Sequence, residues 1–272
     1  MSLLGVELAY WQQEILRTVG VLVMVILPAG GFVYVFLFKM MSFMQSRLGP
    51  MEAGPHGSIQ LLAEVGKFLQ KEDIVPERAD RRLFFIAPYI VLSSTFLLLS
   101  VMPFGPDVYF TDLDTAIFLA MGLSSVSVIG ILIAGWASAN KYSLIGGLRA
   151  AGQLIAYELP MVLAIVGVVI QAGTLNLQGI VSAQHEGALF GIDAVGNPFV
   201  ITQIVGFVVF LVATQAELTQ TPFDMPVAES EIVTGYITEY SGLRFLLFFI
   251  APYIVLSSTF LLLSVMPFGP DV

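Results

Sequence analysis

The sequence predicts an all-α integral membrane protein: a single membrane domain over residues 1–272, built as a bundle of about six transmembrane helices with an amphipathic helix at the interface. Three observations carry this. The 272 residues are 57% hydrophobic and only 11% charged, against about 25% charged in a soluble domain, and mean hydropathy is +0.89. The few charges are spaced so that six long stretches hold none. Those stretches are continuously apolar, without the alternation that barrel strands of roughly ten residues require. The same composition excludes a disordered chain, which needs low hydrophobicity and high charge.

The elements follow in order. Residues 18–38 give 21 residues between Arg17 and Lys39 without a charge. Residues 83–106 give 24, 115–140 give 26, 159–184 give 26, 194–216 give 23 and 245–270 give 26. A helix crosses the hydrocarbon core with about 20 apolar residues, so spans are expected near 18–38, 83–106, 115–138, 159–182, 194–216 and 245–267. The first run follows Glu7, Glu14 and Arg17 and is too long for a signal-peptide core. It contains Pro28-Ala-Gly-Gly31, where a kink or close backbone approach is expected. Segment 58–71 sets Leu61, Leu62, Val65, Phe68 and Leu69 on one helical face and Glu64 and Lys67 on the other. It is too short and too charged to span and suits the interface. Segment 222–226, PFDMP, breaks a helix twice, and Asp224 is placed to cap a new helix running to about Tyr240.

Orientation follows from the bases. Loop 39–82 holds seven of the eleven Lys and Arg, the region 141–149 two and the loop ending at Arg244 one. With six alternating spans these regions share one side. The expectation is a multi-pass protein of the bacterial inner or plasma membrane, or of the thylakoid, with its N-terminus outside and loops 39–82, 136–150 and 217–244 in the cytoplasm.

Composition limits the chemistry. There is no cysteine, so this chain alone builds no Fe–S cluster or thiolate zinc site. Its two histidines lie outside the apolar runs, which excludes a bis-His haem in the membrane; no metal is expected. A net charge of −9 is the wrong sign for nucleic acid. The informative segment is 217–244, where Glu217, Asp224, Glu229, Glu231 and Glu239 precede any base until Arg244. Glu158 and Glu217 border expected spans, and carboxylates clustered near a membrane interior favour protonated forms in one another, which suits proton relay. For Glu229, Glu231 and Glu239 a solvated loop of caps and ion-pair partners is an equal reading. Arg149 either pairs with a membrane carboxylate or anchors the helix at the interface. Arg47 stands in a loop shaped by two Gly-Pro steps, without a phosphate-cradling motif. Tyr236 and Tyr240, four apart, would line a pocket from one helix.

One anomaly stands out. Residues 83–108, LFFIAPYIVLSSTFLLLSVMPFGPDV, recur unchanged as 247–272. Evolved repeats drift, because many apolar sequences satisfy one membrane helix, so 26 identical residues imply a recent duplication or a chimera.

The strings QSRLGPMEAGPHG, KEDIVP, AGWASANKYSLIGGLRAAGQLIAYELP and TPFDMPVAESEIVTGYITEYSGLRF resemble, in that order, the NuoH/NdhA family of respiratory complex I and related quinone oxidoreductases. The resemblance implies a membrane subunit that, with membrane and peripheral partner subunits, forms a quinone chamber and its lipid-side entrance. It also implies acids that couple quinone reduction to ion translocation, with electrons delivered by the partners. By motif, Glu158 in AYELP and Glu217 in QAELTQTPFD resemble the buried channel glutamates of the family. Asp224, Glu229 and Glu231 resemble its acidic loop, and Arg47 the Arg of its first loop. Arg149, Tyr236 and Arg244 are weaker candidates for the quinone chamber.

The chain departs from the family pattern in places. Gly49-Pro50-Met51-Glu52 stands where Gly-Pro-Asn-Arg is common, Glu217-Leu218-Thr219-Gln220 where Glu-Thr-Asn-Arg is common, and Pro226-Val227-Ala228-Glu229 where Pro-Glu-Ala-Glu is common. The family normally has more spans than six, and its pattern diverges after SGLRFLLFFIA, which marks 247–272 as the foreign copy. Two other functions compete: the homologous membrane subunit of an energy-converting hydrogenase, which needs no quinone, and a free-standing ion-coupled transporter.

Overall fold

The computed structural model describes Ser2–Leu3, Val6–Glu7 and residues 27–103, 112–185 and 197–252. It divides into two compact units, Met1–Leu69 and Gln70–Val272. The architecture is helical, apart from one antiparallel pairing of β1 (Ser2–Leu3) with β2 (Val6–Glu7).

In the N-terminal unit α1 spans Leu27–Met44. Residues 18–26 of the expected first span lie outside the described residues, and Pro28 falls in the first described turn. At its other end the helix runs past Lys39. That ammonium donates to the carbonyls of Leu48 and Pro50, at 3.3 and 2.5 Å, so the charge is satisfied by the following loop and does not end the helix. The amphipathic segment forms α2, Gln60–Gln70, with Leu62 and Leu69 exposed along its apolar side.

The C-terminal unit holds three helices long and apolar enough to cross a membrane among the described residues: α3 (Arg81–Val101), α4 (Ala116–Ala137) and α5 (Lys141–Ala172). Asp80 starts α3 by accepting from the N–H groups of Arg82 and Leu83, and Asn140 starts α5 by accepting from Tyr142 N at 2.8 Å; each such cap contributes about 1 kcal/mol. Gly173, in the left-handed region, ends α5. Then come α6 (Leu177–His185), α7 (Phe199–Thr202), α8 (Ile204–Glu217), the single turn α9 (Glu229–Ile232), a 3-10 turn at Gly235–Ile237, and α10 over Gly242–Pro252.

The structure corrects several expectations. The charge gaps put Lys141, Arg149 and Glu158 before a span at 159–182, but all three belong to one unbroken helix, 141–172. Charge gaps mark where a helix is apolar, not where it begins, and α5 at about 48 Å is longer than a hydrocarbon core of about 30 Å. The 194–216 run is not one helix either, since the chain breaks at Gln203 between α7 and α8. No helix runs from an Asp224 cap to Tyr240. The only α-turn in that stretch has Ala228 at its N-cap, and Val233 and Gly235 take positive φ and end it. Gly235 is required there: a Cβ would collide with the Pro226 carbonyl, and Gly146 of α5 packs on the same backbone, where its own added Cβ would meet Gly235 Cα at 2.5 Å. Of the expected last span only residues up to Pro252 are described.

α3 packs on α4, α4 on α5, and α5 on α8. Their apolar contacts fall into two separate cores. One joins Leu98 and Met102 of the α3 end, Ala120 of α4, Met161 and Ile165 of α5, Ile180, and Phe210. The other joins Phe84 and Val91, Val128 and Ile131, Ala150 and Leu154, Tyr236, Tyr240 and Phe248. On every long helix a polar stretch separates the two: Ser93, Ser94 and Thr95 on α3, Ser124 and Ser125 on α4, and Glu158 on α5.

Candidate functional site

That polar belt assembles from four helices. Neighbouring residues of a helix point about 100° apart, so Ser124 and Ser125 face different partners. Ser124 Oγ donates to Glu217 Oε1 of α8 at 3.0 Å. Ser125 Oγ donates to Glu158 Oε1 of α5 and also contacts the Met121 carbonyl. Two carboxylates from two helices are thus held side by side by adjacent hydroxyls of a third. Among the described residues neither has a basic partner.

Both glutamates lie deeper than their sequence positions indicate. Glu158, expected at the start of a span, sits in the middle of α5. Glu217, expected at the rim, ends a helix of only 14 residues, and that end reaches Ser124, the ninth residue of α4. Glu217 Oε2 is sealed from solvent and has no hydrogen-bond partner among the described residues. Beside it is a cavity of about 50 Å³ whose lining includes Thr95, Ser127, Glu217, Tyr236 and Phe248, room for at least one water molecule and polar enough to hold it.

The chain after Glu217 is irregular, and buried irregular backbone must find its hydrogen-bond partners within the protein. Buried Gln153 of α5 does much of this, its Nε2 donating to the carbonyls of Ala216 and Phe223, both at 2.8 Å. The Tyr157 ring meets the Phe223 ring edge-on at 5.2 Å, and Arg149 forms a 2.5 Å ion pair with Glu231.

The other expected acids are not gathered with Glu158 and Glu217. Asp224, Glu229 and Glu231 are exposed. Glu239 accepts from Asn140 Nδ2 at 2.5 Å, beside the cap of α5. In this loop Glu231 and Glu239 each have a pairing partner, and Glu158 and Glu217 lie in the belt.

The expected chamber residues also separate. Arg47, in the N-terminal unit, is exposed and donates through Nε to Gln45. Arg244 is buried, pairs with Asp73 at 2.8 Å and lies over the Phe85 ring at 3.5 Å. Tyr236 and Tyr240 are both buried beside Phe248, but they come from irregular chain rather than one helix. Tyr240 stacks on Phe84 at 4.0 Å and meets Phe248 edge-on. Phe84 and Phe248 are the same position in the two copies of the repeated segment. Burial pushes the Tyr236 phenol up to about 12; it raises Tyr240 too, against the Arg244 charge.

Ser124, Ser125 and Gln153 are the site residues that sequence reasoning misses. A signal for the serines exists: Ser124-Ser125-Val126-Ser127 interrupts an otherwise apolar run at mid-span. Gln153 stands one turn from both Arg149 and Tyr157, and only the fold shows that this face of α5 meets the loop.

Comparison with known proteins agrees with the motif resemblance. Residues 16–271 match the model of a family described as NADH dehydrogenase. The H subunit of the NADH-quinone oxidoreductase of Brevibacillus brevis is 46% identical over 242 residues, covering 88% of this chain and 69% of the relative. The H subunits of the same enzyme from Bacillus cytotoxicus and Bacillus mycoides are 41% and 42% identical over 254 residues, 92% of this chain and 73% of each relative.

Proposed function

Because the chain belongs to the NADH dehydrogenase family, among whose members it matches the membrane H subunits, we propose that it relays protons through Glu158 and Glu217 in a complex I-like quinone oxidoreductase. In this reading it forms part of a quinone chamber with peripheral and membrane partners, and quinone reduction there drives ion translocation. The N-terminus faces outward and the acidic loop faces the cytoplasm, on the side where electrons arrive.

The observation that supports this best is the pair of adjacent hydroxyls, Ser124 and Ser125, each binding one of two carboxylates at the middle of the bundle. Charged groups at such depth are costly and mark ion or proton pathways. A hydroxyl both donates and accepts, so each serine stabilises an ionised carboxylate yet can turn to a protonated one. The cavity beside Glu217 gives water access toward Tyr236 on the loop side. Arg149 and Arg244 contribute by holding the loop and the start of α10, and Arg47 acts at the entrance from the first loop.

Replacing Glu217 by Gln tests the reading, since an amide keeps the shape and cannot titrate. The expected outcome is an assembled complex whose quinone-coupled proton translocation falls by about 100-fold, the lower end of what one acid–base group contributes. Normal assembly with undiminished quinone reduction and translocation would remove Glu217 from the path.

A further inference from the structure

We infer that Gln153 is a positioning residue for Glu217, and that it does this by locking the end of α8 to the acidic loop through one amide. This rests on the relay reading of Glu217. The geometry is specific. The last turn of any helix leaves carbonyls without intrahelical donors. The Ala216 carbonyl, immediately before Glu217, belongs to such a turn and accepts from Gln153 Nε2 at 2.8 Å as well as from Thr219 N at 3.1 Å. The second proton of the same amide goes to the Phe223 carbonyl, also at 2.8 Å. One NH2 group therefore fixes the separation between the peptide that carries Glu217 and the middle of the TPFDMP turn.

Gln153 is itself buried, 5% exposed, and cannot exchange these bonds for water without opening the helix contact. Its neighbours on the same face of α5 act on the same segment: Arg149 holds Glu231 and Tyr157 holds the Phe223 ring. Residues four apart share a helix face, so Arg149, Gln153 and Tyr157 form one row along which residues 216–231 are seated. Glu158 is the next residue of the same helix. The distance between the two glutamates is set from α4 by the serines and from α5 by Gln153. Shifting the end of α8 would alter the Ser124–Glu217 bond, and with it the proton affinity of the site. The titratable groups around this contact are Arg149, Tyr157 and Glu158 on α5, Glu217 on α8, Asp224 and Glu231 on the loop, and Tyr236 across the cavity from Glu217.

The test uses the intact complex carrying Gln153→Leu, which fills similar space without a donor, and Gln153→Glu, which regains one donor only when protonated. Glu217→Gln is measured beside them. Assembly, quinone reduction and proton translocation are followed across pH. The expected result for Gln153→Leu is normal assembly, turnover reduced about five-fold or more, since two hydrogen bonds of about 1 kcal/mol each are lost, and a displaced pH profile. For Gln153→Glu the deficit should shrink as pH falls. Wild-type turnover with an unshifted profile in Gln153→Leu, while Glu217→Gln is defective, overturns the inference and leaves the relay intact. Full activity of Glu217→Gln overturns the relay itself. If Gln153→Leu does not assemble, Gln153→Glu decides alone: a deficit that recovers at low pH supports positioning, and a pH-independent one overturns it.

Discussion

Two sets of carboxylates, one of which joins Glu158 to Glu217 from far apart in the chain, lie in opposite environments in the fold. Glu158 and Glu217 are held by neutral hydroxyls in a belt between two apolar cores, with Oε2 of Glu217 shielded and unpaired among the described residues. Asp224, Glu229 and Glu231 project from the loop that follows, exposed to solvent, and Glu231 pairs with a guanidinium. In the sequence, Glu217 belongs to the same acidic segment as Asp224, Glu229 and Glu231, and Glu158 stands apart. Partner and depth, not position in the chain, separate the two sets: one carboxylate faces a guanidinium at the surface, the others face hydroxyls between apolar layers.

The largest effect is expected from the double substitution Glu158→Gln with Glu217→Gln. If both sit on one path, translocation in the double variant should be no lower than in the worse single one, because effects of groups acting as a unit do not add. Losses that multiply would mean two independent routes. A smaller effect is expected from Ser125→Ala. Its hydroxyl bonds an ionisable carboxylate, so about 1.5–3 kcal/mol is at stake, and turnover at neutral pH should fall by roughly ten-fold or more with quinone affinity unchanged; an altered KM and unchanged kcat would move Glu158 out of the belt's chemistry.

Glu231→Gln probes the exposed loop in the same way. The Arg149 and Glu231 side chains are 33% and 59% exposed, and such pairs contribute about 0.2–1 kcal/mol. Melting of the purified complex should shift little, and turnover less than about five-fold. A loss matching that of Glu217→Gln would erase the distinction between loop and belt. The smallest effect is alkaline. The Tyr236 phenol is raised from 10.0 to about 12 by burial, so its folded form holds the proton more tightly than the unfolded form does. The contribution is complete below pH 10 and is lost as pH rises through 12. Tyr236→Phe should therefore make stability fall less steeply above about pH 10, followed by thermal unfolding at a series of alkaline pH values; an unchanged slope would mean that the phenol is not buried.

How much of this is legible in the sequence depends on what sets each feature. Hydropathy is a property of composition, so the helical membrane class and the amphipathic α2 follow from the residues alone. The caps Asp80 and Asn140 are supplied by the structure; the one cap read from the sequence, Asp224, starts no helix. Helix limits are misjudged where a charge is satisfied by a distant partner: Lys39 by the loop carbonyls, Arg149 by Glu231, and Glu158 by Ser125. Each of these charges reads as an edge because its partner is invisible in one dimension. The missing helix after Asp224 has the same origin. The turn at Gly235 is imposed by the close approach of Gly146, far earlier in the chain. Gln153 is silent for that reason as well, since a glutamine in an apolar run has no signature until both carbonyls that it serves are in place.

The belt has a consequence for how this bundle comes apart. The three long helices cross two apolar cores that share side chains nowhere between Ala120 and Val128 of α4 or between Leu154 and Met161 of α5. Cooperative opening follows contiguous packing, so each rod belongs to two cooperative blocks, and the seam between them is the row of serines and glutamates. One block can loosen without melting the other, and the two glutamates proposed as relay sites sit on that seam.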